Sequence, residues 1–147
     1  MPIRDFLSPG DVAIAVRAPD KVRLLQELSN QAAARLKLDP DRVARAILDR
    51  EQLGSTGMGG GIAIPHARIE DVKAAFGMLT RLRRPIDFES VDGKPVDLVF
   101  LLLLPAKAEG EQLNVLATVA RRLRDPAVLQ QLRNADDQAS CYRVFVA

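Results

Sequence analysis

Apolar and polar positions follow two different rhythms along this chain, and their alternation outlines the fold. DVAIAV, residues 11–16, is short, apolar and β-branched, which predicts a strand closed by the turn at Pro19. From Asp20 the period lengthens. Leu25, Leu28, Ala32 and Leu36 recur at three- and four-residue steps in KVRLLQELSNQAAARLK, a helical stripe behind an aspartate N-cap. A second helix restarts with Asp39 as cap and Pro40 in its first turn, and runs through DRVARAILDREQL to about Leu53. On it Val43, Ile47 and Arg50 share a narrow arc, so Arg50 points with the apolar face. Two readings of Arg50 stand: a stem lying along the core edge with its head in solvent, or a guanidinium held beside the next loop and ready to pair with an anion.

Beyond that loop IAIPH reads as a strand, with Ile62, Ile64 and His66 on one face and Ala63 and Pro65 on the other. Pro65 cannot donate to a central ladder, so it marks an edge or a strand end and brings His66 near a surface. Another strand is expected over residues 74–81. A turn at Val91-Asp92-Gly93-Lys94-Pro95 then leads into VDLVFLLLLP, whose unbroken apolar run predicts a central strand buried on both faces. Helical spacing returns over 109–124, Asp125-Pro126 breaks and restarts it for AVLQQLRNA, and DDQASCYRVFV closes the chain as a helix. The reading is a single α/β domain over residues 1–147, a sheet covered by helices.

Composition narrows the function classes. The 147 residues are 48% hydrophobic and 27% charged, a globular balance suited to one core. A net charge of +2 is small for a protein that grips phosphodiester backbones, so no nucleic-acid partner is expected. Cys141 is the lone cysteine and His66 the lone histidine, which leaves no disulfide and no Cys/His metal cluster to build. The N-terminus lacks an export pattern, and the longest apolar run falls short of the roughly 20 residues that cross a bilayer. A cytoplasmic protein without membrane insertion is expected.

The chemistry-bearing stretch is GSTGMGGGIAIPHARI, residues 54–69. It has neither the spacing of a dinucleotide fingerprint nor the Lys-Ser/Thr pair of a Walker loop, so no nucleotide cofactor is expected. What it offers is a pliable backbone whose N–H groups can line an anion nest, with the hydroxyls of Ser55 and Thr56. No serine or cysteine carries the flanks of a hydrolase nucleophile. A solitary imidazole is then either a surface side chain without a task or a neutral nucleophile that accepts and releases a phosphoryl group. The arginine groups Arg81, Arg83, Arg84 and Arg121, Arg122, Arg124 are either a docking face or solvated surface.

REQLGSTGMGGGIAIPHARI, residues 50–69, resembles the active-site segment of the fructose/mannitol-type IIA components of the bacterial phosphoenolpyruvate phosphotransferase system, especially their nitrogen-regulatory branch. The likeness continues through DPDRVARAILDRE, RPIDFESVDGKPVDLVFLLLLPA and LNVLATVARRLRDPAVLQQLR, so it spans nearly the whole chain. It implies a five-stranded mixed sheet flanked by helices. It also implies that His66 accepts a phosphoryl group from an HPr-like carrier protein, with no cofactor and no metal. Arg50 would pair with phosphoryl oxygens, Gly57, Gly59 and Gly61 would let backbone approach them, and Ser55, Thr56 and Arg68 would support. Many relatives have a second histidine where this chain has Gln112, which can donate a hydrogen bond but cannot become cationic. The implied function is a phosphocarrier whose phosphorylation state controls target proteins such as transporters or kinases. Two alternatives are a sugar-specific IIA unit passing phosphate to a IIB domain, and a regulatory binding protein that is not phosphorylated.

Overall fold

The computed structural model describes all residues, Met1–Ala147. Five α-helices form: α1 (Lys21–Leu36), α2 (Pro40–Leu53), α3 (Val115–Leu123), α4 (Pro126–Asn134) and α5 (Gln138–Val146). Four begin on an aspartate. Asp20, Asp39, Asp125 and Asp137 each accept a backbone N–H of the first turn, which offsets one of the donors a helix start leaves unpaired. The helix expected over 109–124 opens instead as a 3-10 segment, Gly110–Asn114, and becomes α-helical only at Val115.

The strands are β1 (Val12–Val16), β2 (Gly57–Gly59), β3 (Ile62–Ala63), β4 (His66–Ile69), β5 (Phe76–Ile86) and β6 (Val96–Pro105). They make one mixed sheet in the order β1-β5-β6-β3-β2, and β4 follows β3 along the same flank of β6. Six segments thus fill five places, because Ile64 and Pro65 interrupt what reads in sequence as one strand. Pro65 brings no N–H to the ladder, although its carbonyl still accepts from Leu102 N–H at 2.9 Å. β1 carries a register shift between Ala13 and Val16, with Ala15 at φ 54°, a bulge that blunts the exposed sheet edge.

β6 is the central strand and is buried on both sides, as its apolar run predicts. Leu98, Phe100, Leu102 and Leu104 enter a core closed by α3, α4 and α5. Val99, Leu101 and Leu103 enter a second core under α1 and α2. Phe100 is the hinge of the first core. Its ring meets Phe6 edge-on at 6.3 Å and lies 5.5 Å from Phe145. Gly77 on β5 makes room for it, since a Cβ there would stand 2.7 Å from Phe100 Cε1. Phe100→Ala empties this space, and urea unfolding is expected to show a loss of about 3–5 kcal/mol.

Candidate functional site

His66 opens β4 opposite Leu102, on the sheet face that carries Ile62 and Ile64. It is half-buried and lies on a strand paired only with β6. Its Nδ1 lies 2.8 Å from the carbonyl oxygen of Ile64. A carbonyl can only accept, so this bond requires the proton on Nδ1. In the neutral ring the lone pair then sits on Nε2. Backbone two residues away thereby selects the tautomer.

The segment ahead of β3 is held by a buried carboxylate. Glu51, in the last turn of α2, is 8% exposed. Lys21 Nζ, from the first turn of α1, meets its Oε2 at 2.8 Å. Thr56 N–H donates to the same oxygen at 3.2 Å, and Thr56 Oγ1 donates to Oε1. Lys21 also donates to Phe88 O at 3.3 Å and stands 4.7 Å above the Phe88 ring. One ion pair therefore joins two helix ends, the 54–57 segment and the loop after β5. Thr56 O in turn accepts from Ile64 N–H at 3.1 Å, and Ile64 O accepts from His66. Arg50 enters at the other end, with Nη1 donating to Gly54 O at 2.9 Å.

The residues expected at the site are sorted by this geometry. Arg50 is half-buried beside the 54–57 segment, and one of its five N–H donors is used on Gly54. Ser55 and Thr56 have their hydroxyl protons committed, to Phe88 O at 2.6 Å and to Glu51, so neither is left to donate to a ligand. Gly57 N–H is likewise taken, by Ser55 Oγ at 3.0 Å, and a Cβ there would collide with Ser90. Arg68 is exposed on β4 and shares a strand face with His66. Gln112 lies in the 3-10 segment ahead of α3, half-buried, with an enclosed Oε1 that has no hydrogen-bond partner.

Gly59 and Gly61 are placed elsewhere. They take φ of 90° and 83° in the reversal between β2 and β3, a left-handed conformation that glycine adopts without a steric penalty. Asp92 accepts Gly60 N–H at 3.0 Å, and Arg133, paired with Asp97 at 2.8 Å, donates to Gly60 O at 2.8 Å. The bonds from the Gly60 and Lys94 amides hold the Asp92 carboxyl below the usual aspartate range. Five residue steps of extended chain lead from Gly61 to His66, about 16 Å. The glycine run thus builds a pinned hairpin turn, not a cradle around the imidazole.

The chain matches, over residues 5–147, the family model described as phosphoenolpyruvate-dependent sugar phosphotransferase system, EIIA 2. It belongs to this family. A "Nitrogen regulatory protein" of Bradyrhizobium diazoefficiens is 44% identical over 145 residues, covering 99% of this chain and 95% of that protein. A "PTS system fructose-specific EIIA component" of Haloferax volcanii is 35% identical over 107 residues, 73% of this chain and 70% of that one. Among solved structures, the nitrogen regulatory protein IIA-Ntr of Neisseria meningitidis superposes with a TM-score of 0.91 at 34% identity, over 97% of this chain and 98% of that one. Membership makes the chain a phosphotransferase-system component with a carrier or regulatory role. No helix is long and apolar enough to cross a membrane.

Sequence reasoning missed Glu51 and Lys21. One signal was available: a carboxylate in the last turn of a helix opposes the macrodipole, so Glu51 needs a partner from outside α2. The arginine groups also divide. Arg81 donates to the carbonyls of Leu132 and Ala135 at 2.7 and 2.8 Å, and Arg122 to those of Val144 and Phe145 at 2.6 and 3.1 Å. Both tie down helix C-termini, so neither is a docking cation nor a freely solvated side chain, the two readings the sequence left open. Glu51→Ala would leave the Thr56 N–H and hydroxyl without their acceptor, and Lys21 with only Phe88 O and the longer pair to Glu89 at 3.6 Å. Chemical denaturation is expected to show a loss of about 1–3 kcal/mol.

Proposed function

We propose that this protein is a phosphohistidine carrier of a nitrogen-type phosphotransferase system, acting in the cytoplasm and controlling target proteins by its phosphorylation state. The observation that carries this reading is the Nδ1–Ile64 hydrogen bond, which leaves Nε2 as the nucleophilic atom of a half-exposed ring. In the transfer, the Nε2 lone pair forms a new N–P bond. The N–P bond to the carrier's histidine breaks, and its electron pair returns to the carrier's ring. The proton on Nδ1 stays in place. As the His66 ring becomes more positive, the Ile64 carbonyl takes a stronger, charge-assisted hydrogen bond from it.

Arg50 is the group suited to the phosphoryl oxygens. Its guanidinium is anchored through one N–H and keeps others for a tetrahedral anion, with little reorganisation left to pay at the moment of transfer. Arg68, on the same strand face as His66, adds positive potential, and the Gln112 side chain is the neutral amide available where many relatives have a second histidine. Ser55, Thr56 and Gly57 act indirectly, by fixing the backbone that ends at Ile64.

The donor on this reading is an HPr-like phosphocarrier protein. Leu53 and Leu113, exposed by 85% and 58%, adjoin Gly54 and Gln112 and give such a partner apolar contacts. Phosphorylation adds about −1.5 to −2 charges beside Arg50, enough to change which targets bind. The fructose-specific relative supports a second reading, in which His66 passes phosphate to a IIB domain. Transfer from the phosphorylated chain to purified IIB domains separates the two.

With phosphoenolpyruvate, enzyme I and the carrier protein, His66→Ala is expected to lose all acid-labile label while keeping the parent's melting temperature. Arg50→Ala is expected to slow labelling about a hundredfold with the fold intact. Rapid-quench labelling checks both, and label persisting on His66→Ala would defeat the assignment.

A further inference from the structure

At the sheet edge opposite β4, three arginines face one cleft. β1 runs parallel to β5 with Val16 opposite Leu82, so Arg17 leaves β1 beside Arg83 and Arg84 near the end of β5. All three are exposed, and none belongs to an ion pair of the chain. With Ala18 and Pro19 they line a cleft of about 430 Å³. Arg81, the other arginine of this run, is engaged with carbonyls at the end of α4, which makes the free state of its neighbours a distinct feature.

Three like charges around one concavity repel each other until an anion enters. Guanidinium forks suit tetrahedral oxyanions that accept from two N–H groups at once. A second cleft of about 430 Å³ continues from the first, sharing Arg17, Ala18 and Pro19. It runs between β1 and α1 along Val16, Leu24 and Leu28, with Thr80 as a neutral polar group and Arg23 and Glu27 as charged ones, Glu27 accepting from Gln31 Nε2 at 3.1 Å. A charged mouth opening onto a partly apolar slot of small-molecule size fits an anionic head carried on an organic body.

We infer that this edge is a second binding site, for a small organic di- or polyphosphate whose phosphates pair with Arg17, Arg83 and Arg84 and whose organic part lies between β1 and α1. His66 lines neither cleft, and β1 is three strand spacings from β4, about 14 Å across the sheet. The site is therefore separate from the phosphoryl acceptor and does not depend on the function proposed for it.

Calorimetric titration at physiological salt, with adenosine diphosphate, inorganic pyrophosphate, citrate and polyglutamate as probes, tests this. Both phosphates should saturate the protein, adenosine diphosphate the more tightly. The double variant Arg83→Ala/Arg84→Ala should weaken both by about tenfold or more while melting at the parent's temperature. Should that variant melt lower, Arg83→Lys/Arg84→Lys serves in its place: it keeps the charge, loses the forks and should still bind less tightly than the parent. His66→Ala should bind as the parent does. Absence of saturation by either phosphate, or undiminished binding in the arginine variants, overturns the site. Pyrophosphate binding as tightly as adenosine diphosphate overturns the organic slot, and tighter binding of citrate or polyglutamate overturns the phosphate assignment.

Discussion

The site depends on one buried ion pair. Lys21 and Glu51 come from the ends of two helices that would otherwise be joined only by apolar packing, and Glu51 spends its second oxygen on the Thr56 hydroxyl. A buried pair of this kind contributes little net stability, because desolvating two charges offsets most of their attraction. Its value lies in position. With both oxygens satisfied, the carboxylate has one arrangement, and the 54–57 segment it holds has one arrangement too. From there backbone hydrogen bonds carry the order to Ile64 and so to the imidazole.

This division of labour explains why polar groups near His66 are mostly unavailable for chemistry. Ser55 Oγ and Thr56 Oγ1 are donors to protein acceptors, and the Gly57 amide is donated to Ser55. They preorganise the site. What remains free is Nε2 of His66, the unspent N–H groups of Arg50, and the exposed Arg68 beyond it. On the proposed function, one nucleophile and these cations are the set that would serve phosphoryl transfer, where positioning and charge stabilisation supply most of the rate enhancement.

Much of the fold was legible in the sequence wherever a local rule and the tertiary structure agreed. The apolar run of β6 announces a strand buried on both faces, and the aspartates before four helices announce their starts. The shared face of Ile62, Ile64 and His66 follows from strand alternation. β2 was not legible. Gly-Met-Gly has no strand propensity of its own and is extended because Gly57 pairs with Ala63. The use of the glycine run was also hidden, since glycines at positive φ serve an anion nest and a hairpin turn equally well. The choice was made by Asp92 and Arg133, which lie far off in the chain. Glu51 escaped for the same reason: its partner Lys21 stands on another helix.

Ile64 fixes the His66 tautomer and thereby, on the proposed function, the atom that would carry phosphorus. Ring-nitrogen NMR on protein labelled with 15N at histidine, recorded before and after phosphorylation by enzyme I, carrier and phosphoenolpyruvate, tests it directly. A protonated Nδ1 in the free neutral ring and phosphorus coupling at Nε2 afterwards are expected. A proton resting on Nε2, or phosphorus bonded to Nδ1, would contradict it.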